Sequence, residues 1–357
     1  VELFIVISGF SLMLPVIRSR EQQLKGGTLR FFNRRARRIL PPYYVALAVS
    51  LVLIAVVPGM NRPSGMLNYS DLLLPAFEPN ALISHLLLVH NISPNLELRI
   101  NPPMWSIAVE WQIYFLFPLL VYVWRRWGVG ALLAAGLVFG VGQAIAQPWT
   151  GWLTYPLGTV WYLFLFVEGM LGAIIAFSQQ PALQRLRQRL PWHWIALVAF
   201  VALVGVKAAG KLAGDLPDWS TDPLIGLASM AMLIHLSGQM HRPSGQASRL
   251  LRIVSTPWLV RIGHFSYSLY LIHAPILVAF SLIWLALGTP ILLAYGLNIL
   301  VGGPLCVAIA YLFFLFFERP FISSEARKHS NQVSAKSHNG LLNLIRNRVT
   351  PGLPVQE

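Results

Sequence analysis

Long runs of apolar residues, separated by short polar and basic segments, dominate the chain. Nine runs have the length needed to cross about 30 Å of hydrocarbon, for which an α-helix needs roughly 17 to 25 residues. They cover residues 1–17, 41–59, 105–124, 128–147, 156–177, 192–209, 223–238, 266–287 and 290–317. A shorter run, 81–90, is interpreted as a re-entrant or interfacial helix because of its length. The pattern predicts an all-α, polytopic integral membrane bundle.

The basic residues follow the same alternation. Successive spans cross in opposite directions, so the connecting segments divide into two sets, one on each side of the membrane. One set holds 23 of the 27 lysines and arginines; it consists of 18–40, 125–127, 178–191, 239–265 and the tail from 318. The positive-inside rule therefore predicts that this set is cytoplasmic and that Val1 enters from the outer side.

Composition narrows the class of protein further. The chain of 357 residues is 56% hydrophobic and only 11% charged, whereas soluble domains carry roughly 25% charged residues. A soluble globular enzyme and a disordered chain are therefore excluded. The single cysteine, Cys306, excludes a disulfide scaffold. The net charge of +14 is explained by the basic cytoplasmic segments, so no nucleic-acid partner is predicted.

The chain divides into two predicted regions. Residues 1–321 are expected to form one transmembrane domain. Residues 322–357 form a polar, basic tail that is predicted to be disordered or bound to the membrane surface. Because Val1 lies within an apolar run, we interpret the sequence as a piece of a longer protein.

Glu110 is the clearest candidate for a functional group inside a span, where ionisable residues are costly. Ser106, Glu110 and Tyr114 follow one another at intervals of four, which places them on one helix face. A buried carboxylate can also act as a structural link between helices, and this interpretation remains open.

Two further groups of polar residues lie within spans. Ser266, Tyr270 and His273 follow at i, i+4 and i+7 and form a polar face. For His273, a functional role and a structural hydrogen bond to a backbone carbonyl are equally compatible with the pattern. Glu2 opens the first span, ahead of Ser8 and Gly9, and Gly9 is expected to permit the close approach of a neighbouring helix.

Four arginines precede the second predicted span, which Pro41 and Pro42 are expected to start. They are Arg34, Arg35, Arg37 and Arg38. A basic anchor at the membrane surface would explain the charge. It would not explain the use of arginine alone, and guanidinium groups bind phosphate through two parallel hydrogen bonds. A ligand carrying phosphate is therefore a second hypothesis for this segment. Motifs for a P-loop, a catalytic zinc site and a hydrolase nucleophile elbow are absent from the sequence, and no metal is predicted.

Five segments in a fixed order resemble membrane acyltransferase family 3. Val1–Phe10 resembles its "v-[DE]-l-F-F-v-l-S-G-f" motif, and Arg34–Pro41 its R-x-x-R segment with a following proline. Asn101–Pro118 resembles "W-S-l-x-x-E-x-x-[FY]-Y-x-x-x-P". Phe265–His273 resembles "i-S-Y-s-l-Y-L-w-H", and Phe317–Pro320 resembles "v-E-x-P". Each motif alone is weak, and the specificity lies in their order.

The resemblance implies ten transmembrane helices, nine visible and one upstream. It implies an enzyme of the bacterial inner membrane that moves an acyl group, usually acetyl, from cytoplasmic acyl-CoA to a hydroxyl. The acceptor would be an envelope carbohydrate, a lipid-linked sugar or a similar molecule. The R-x-x-R pair, Arg35 with Arg38 or equally Arg34 with Arg37, is implied to bind acyl-CoA.

The family's catalytic histidine belongs to the upstream helix, so residues 1–357 alone are expected to be inactive. Glu2, Glu110, Tyr114 and His273 are expected in supporting roles around it. Other functions remain open: a transporter or flippase for acylated sugars or lipids, and a scaffold without chemistry. A different membrane acyltransferase with an intramembrane base such as His235 is a further alternative.

Overall fold

The regular structure is helical throughout the part of the chain that is described. The computed structural model describes residues 1–61, 77, 79–150, 158–213, 221–240 and 248–322. Within these ranges the α-helices are α1 (Glu2–Arg18), α2 (Gly27–Val56), α3 (Pro79–Leu86), α4 (Met104–Thr150), α5 (Gly158–Phe177), α6 (Pro181–Arg189), α7 (Trp192–Ala213), α8 (Asp222–Gln239), α9 (Arg249–Val254), α10 (Pro257–His264), α11 (Ser266–Ala286), α12 (Ile291–Leu297) and α13 (Gly303–Phe313). Two π-helical segments, Asn298–Gly302 and Phe314–Glu318, flank α13. The all-α prediction is confirmed for these residues. Of the predicted tail 322–357, all but Ile322 lies outside the described ranges.

Several helices have the length and apolar composition of membrane spans. Five described stretches qualify: Gly27–Val56, Met104–Phe139, Trp192–Gly210, Ser266–Ala286 and Ile291–Phe321. A sixth arises if Tyr162–Phe177 and Pro181–Arg189, which meet at 97°, form one broken span. The predicted count of nine is therefore not confirmed, although an integral membrane protein is. Large apolar side chains on α7, such as Phe200, Val201 and Val204, are more than half exposed, as lipid-facing residues are.

The arginine run lies inside a helix, which corrects one prediction. α2 is continuous from Gly27 to Val56, and Pro41 and Pro42 are interior residues. The prediction that these prolines start the span was therefore wrong. Leucine, alanine and arginine before them are good helix formers, and membrane helices tolerate proline where neighbouring groups satisfy the freed carbonyls.

α4 contains the break that the sequence predicts near 125–127. Gly128 has φ 86° and ψ −171°, so the helix direction is interrupted there. A positive φ of this size is readily adopted only by glycine, which explains the position of the break. The short apolar run 81–90 overlaps α3, whose eight residues are too few to cross a bilayer.

The chain forms two compact units. Unit 1 consists of 1–35 and 61–247, and unit 2 of 36–60 and 248–357. In unit 1, α5 packs against α1, α4 and α8, and α7 packs against α8. In unit 2, α11 packs against α13 and the π-helical segment Asn298–Gly302.

Glycines allow α1 and α5 to approach closely. A Cβ atom on Gly9 would lie 2.1 Å from the carbonyl oxygen of Phe166, and one on Gly169 would lie 2.0 Å from that of Val6. Real Cβ atoms do not approach backbone oxygen this closely, so any larger residue would separate the helices. The sequence had suggested this role for Gly9, and it fixes the position of the neighbouring Ser8.

Candidate active site

Three hydroxyl and carboxylate groups form a buried cluster in unit 1. The Ser8 hydroxyl donates to Glu110 Oε1 at 2.6 Å, and the Tyr114 hydroxyl donates to the same oxygen. The two hydroxyl oxygens are 3.2 Å apart. All three side chains are buried, with exposures of 7%, 5% and 3% for Ser8, Glu110 and Tyr114. The carboxylate is therefore held in a fixed orientation by two donors.

The spacing along α4 explains two of the three members of the cluster. Glu110 and Tyr114 are one helical turn apart and face the same way, as predicted. Ser106, one turn earlier on that face, is buried and donates to the carbonyl of Pro103, the residue just before α4 begins. Ser8 comes from α1 instead, 102 residues away in sequence from Glu110.

Arg35 reaches this cluster from α2. Its guanidinium carbon lies 5.7 Å from the centre of the Tyr114 ring and 5.9 Å from that of Phe31. Phe31 is buried, and its ring packs against Tyr114 and Phe117. The sequence reasoning missed Phe31, although its spacing of four from Arg35 indicates a shared helix face. A cation is therefore placed beside the hydroxyl–carboxylate cluster.

A pair of amide side chains fastens the segment before α4 to the site helix. Gln112 Nε2 donates to Asn91 Oδ1 at 2.8 Å and to the Leu88 carbonyl at 2.9 Å. Asn91 Nδ2 donates back to Gln112 Oε1 at 3.3 Å. Because Gln112 lies two residues after Glu110, these bonds fix the rotation of α4 next to the cluster.

Two histidines in the segment before α4 stack on each other, and the sequence reasoning assigned a role to neither of them. The His85 and His90 rings lie 3.7 Å apart at an angle of 11°, and both are fully buried. His85 Nδ1 donates to the Ala81 carbonyl at 2.7 Å. Burial lowers the pKa of His85 to about 4. Burial, together with the charge of His85, lowers the pKa of His90 to about 3. Both rings are therefore neutral at pH 7.

A basic cavity lies at the end of α1 and the beginning of α2. It has a volume of about 860 Å³, and its lining includes Arg18, Arg20 and Lys25. Arg34 Nη1 donates to the Lys25 carbonyl at 2.9 Å, which ties the arginine segment of α2 to the rim of this cavity. The cavity has the size of a small-molecule site.

The remaining predicted residues make other contacts. Glu2 is the first residue of α1, six residues before Ser8. His273 belongs to unit 2, and its Nδ1 donates to the Tyr270 carbonyl at 2.8 Å and the Leu269 carbonyl at 3.2 Å. That contact is the structural alternative considered for His273.

Arg37 and Arg38 belong to the part of α2 that lies in unit 2, and both are exposed. The Tyr267 hydroxyl donates to the carbonyl of Ile39 at 3.0 Å and so holds this part of α2 against α11. Nearby in unit 2, Ser268 donates at 2.5 Å to Glu318, which is buried and within electrostatic range of Arg38. The v-E-x-P motif thus places its carboxylate next to the second arginine of the pair.

Among the described residues, no three His, Cys, Asp or Glu side chains come close enough to hold a metal ion. The groups that meet at the cluster are the carboxylate of Glu110, the hydroxyls of Ser8 and Tyr114 and the guanidinium of Arg35.

Comparison with known proteins identifies the family. The family model for acyltransferase 3, described as an acyltransferase domain, matches residues 1–315. The chain belongs to acyltransferase family 3. The resemblance drawn from the five motifs is thereby confirmed, and members of this family are transferases. No solved structure matches the chain.

The chain is similar to several named acyltransferases. The peptidoglycan O-acetyltransferase OatA of Listeria monocytogenes is 22% identical over 90% of this chain and 50% of its own length. The acyltransferase MdmB of Streptomyces mycarofaciens is 23% identical over 75% of this chain and 67% of its own length. The O-acetyltransferase OatA of Staphylococcus aureus is 25% identical over 78% of this chain and 45% of its own length. The chain spans about half the length of the two O-acetyltransferases.

Proposed function

We propose that this acyltransferase moves an acyl group, most simply acetyl, from acyl-CoA to a hydroxyl of a cell-envelope carbohydrate or a similar acceptor. The observation that carries the proposal is the buried Ser8–Glu110–Tyr114 cluster beside Arg35. Within unit 1, it brings the Glu110 carboxylate, which can assist proton transfer, close to the positive charge of Arg35. The names of the two OatA relatives support the acetyl group and an acceptor oxygen.

Glu110 is proposed to orient and stabilise the base of the reaction. An alcohol that attacks a thioester must lose its proton as the new ester bond forms and the thiol leaves. A carboxylate that is fixed by two hydroxyl donors can hold an imidazole in the correct orientation and stabilise its charged form. The family resemblance implies that this imidazole belongs to a helix before Val1. Ser8 and Tyr114 keep the carboxylate in position.

Arg35 and the basic cavity are proposed to receive the donor. The phosphate groups of acyl-CoA carry negative charge, which arginine binds through paired hydrogen bonds. Arg18, Arg20 and Lys25 line the cavity, and Arg34 is bonded to its rim. The excess of basic residues in this segment also supports a cytoplasmic position for it, where acyl-CoA is available. The expected location is the bacterial inner membrane.

The test measures transfer of label from radioactive acetyl-CoA to a cell-envelope fraction in membranes. The protein is expressed together with the upstream helix that the family resemblance implies. Arg35→Ala should raise the KM for acetyl-CoA by roughly tenfold or more, because charge-assisted bonds to phosphate are lost. Arg126→Ala, an exposed arginine beyond the cluster, is the matched control and should leave the KM unchanged. Equal KM values for the two variants would contradict the proposal. Movement of acylated sugars without label transfer would support the transporter alternative.

A further inference from the structure

A second basic cavity lies where α6 turns into α7, and nothing in the proposed acyl transfer uses it. It has a volume of about 590 Å³. Its walls are the end of α6, the turn at Leu190–Pro191, the first residues of α7 and the last two turns of α8. Because α7 and α8 pack against each other, the start of one and the end of the other are neighbours. All of these residues belong to unit 1.

The polar side chains that line this cavity are rich in N–H donors. They include two guanidinium groups, two imidazoles and two amides, and none of the described lining residues is acidic. The polar lining residues are Arg187, Gln188, Arg189, His193, His235 and Gln239. The rings of His193 and His235 are 5.2 Å apart. A concave site with two guanidinium cations, further N–H donors and no described carboxylate favours an anion with several acceptor oxygens, such as phosphate.

The cavity wall is held in place by bonds that do not depend on a ligand. The Arg187 side chain donates to the carbonyl of Ala176 near the end of α5. Trp192 Nε1 donates to the carbonyl of Arg187 at 3.1 Å, which fixes the turn between α6 and α7. Gln239, which is buried, bonds to His235 one turn earlier on α8. The turn that carries Arg189 and His193 is therefore preorganised, which reduces the entropic cost of binding.

Apolar surface continues outward from the cavity. Leu190 belongs to the lining and is 38% exposed, and Trp194, two residues after Trp192, is 56% exposed. The exposed side chains of α7 extend this surface along the helix. Tryptophan and arginine together are typical of the level of lipid headgroups. A phosphate that carries acyl chains could thus bind the polar lining with its phosphate and the exposed apolar surface of α7 with its chains.

We propose that this cavity binds a phosphate anion, either the headgroup of an acidic phospholipid or a soluble phosphate ester. Arg189 and His193 contribute donors directly to the phosphate. Arg187 contributes charge and shapes the turn. The site is made of residues other than the Ser8–Glu110–Tyr114 cluster and the α1–α2 cavity, so it can be tested without assuming acyl transfer.

The experiment titrates the purified full chain, in a neutral maltoside detergent, with three probes and measures heat of binding. Dioctanoyl phosphatidylglycerol carries phosphate and acyl chains, glycerol 3-phosphate carries phosphate alone, and dioctanoylglycerol carries chains alone. Arg189→Gln and His193→Gln should each raise the Kd of a phosphate probe by roughly tenfold, since bonds to a charged group are strong. Arg185→Gln, an exposed arginine on α6 outside the lining, is the matched control and should leave the Kd unchanged.

The outcomes separate the sources of the phosphate. Binding of phosphatidylglycerol alone supports a lipid headgroup site, and binding of glycerol 3-phosphate with similar or greater strength supports a soluble ligand. The proposal is overturned if neither phosphate probe binds, or if dioctanoylglycerol binds as tightly as phosphatidylglycerol. It is also overturned if Arg189→Gln and His193→Gln bind like Arg185→Gln. Thermal unfolding of each variant checks that the fold is retained.

Discussion

Acidification from pH 7 to pH 5 should destabilise unit 1 through the stacked pair His85 and His90. Burial keeps both rings neutral in the folded chain, with pKa values of about 4 and about 3, whereas their ordinary value is 6.5. A group whose pKa is lower in the folded state binds fewer protons there than in the unfolded chain. The contribution is therefore fully present above the unfolded value and is lost as the pH falls below 6.5.

The size of the effect follows from the two pKa values. Between pH 7 and pH 5 each histidine favours the unfolded state by about 2 kcal/mol more, or about 4 kcal/mol for the pair. For a domain of 150 to 250 residues, 1 kcal/mol shifts the unfolding midpoint by about 2 to 4 °C. The pair should thus lower the midpoint by roughly 10 °C over this pH range.

The assay records thermal unfolding by tryptophan fluorescence in detergent at pH 7 and pH 5. Other groups titrate over the same range, so the informative quantity is the difference in pH dependence between the wild type and His85→Gln/His90→Gln. The variant should be less stable at pH 7 but should lose much less stability on acidification. His90→Gln alone provides an intermediate case if the double variant unfolds too readily. Identical pH dependence in the wild type and both variants would refute the burial of two neutral rings.

Three further substitutions test the packing and the buried hydrogen bonds. Gly9→Ala should destabilise the chain by roughly 1 to 3 kcal/mol, because its methyl group would meet the Phe166 carbonyl; a midpoint equal to that of the wild type would argue against the close approach of the helices. Ser268→Ala should cost about 1 to 3 kcal/mol, since it leaves the buried Glu318 without its hydroxyl donor. Ser266→Ala is the control, because it removes only an exposed hydroxyl that donates to the Gly263 carbonyl, and it should change the unfolding midpoint little. An equal loss of stability in both serine variants would contradict a specific role for the bond from Ser268 to Glu318.

The sequence could predict those parts of the site that depend on helical spacing. Glu110 and Tyr114 were predicted to share a face because they lie one turn apart on a single helix. The contact of Glu110 with Ser8 could not be found this way, since it depends on how α1 packs, 102 residues earlier in the chain. The glycine at position 9 was a signal of close packing, but it did not identify the partner helix.

The boundaries of the helices were harder to predict than their existence. Hydropathy predicted that the second span begins at Pro41. In the structure the helix begins at Gly27 and includes the basic residues before Pro41. Charge and proline make a segment less apolar without preventing a helix from forming. The count of nine spans rested on hydropathy in the same way, and five described stretches meet the criteria of length and composition.

The most direct test of the proposed active site is the rate of acetyl transfer by Glu110→Gln. Glutamine retains the shape of the side chain and can still bond to Ser8 and Tyr114, but it removes the charge that would stabilise a protonated base. Assayed with its upstream helix, this variant should lose about 100-fold or more in kcat with a smaller change in the KM for acetyl-CoA. Glu97→Gln, which makes the same change outside the cluster, should keep wild-type kcat. A Glu110→Gln enzyme that retains kcat within about twofold would show that the carboxylate is structural and contradict the proposed mechanism.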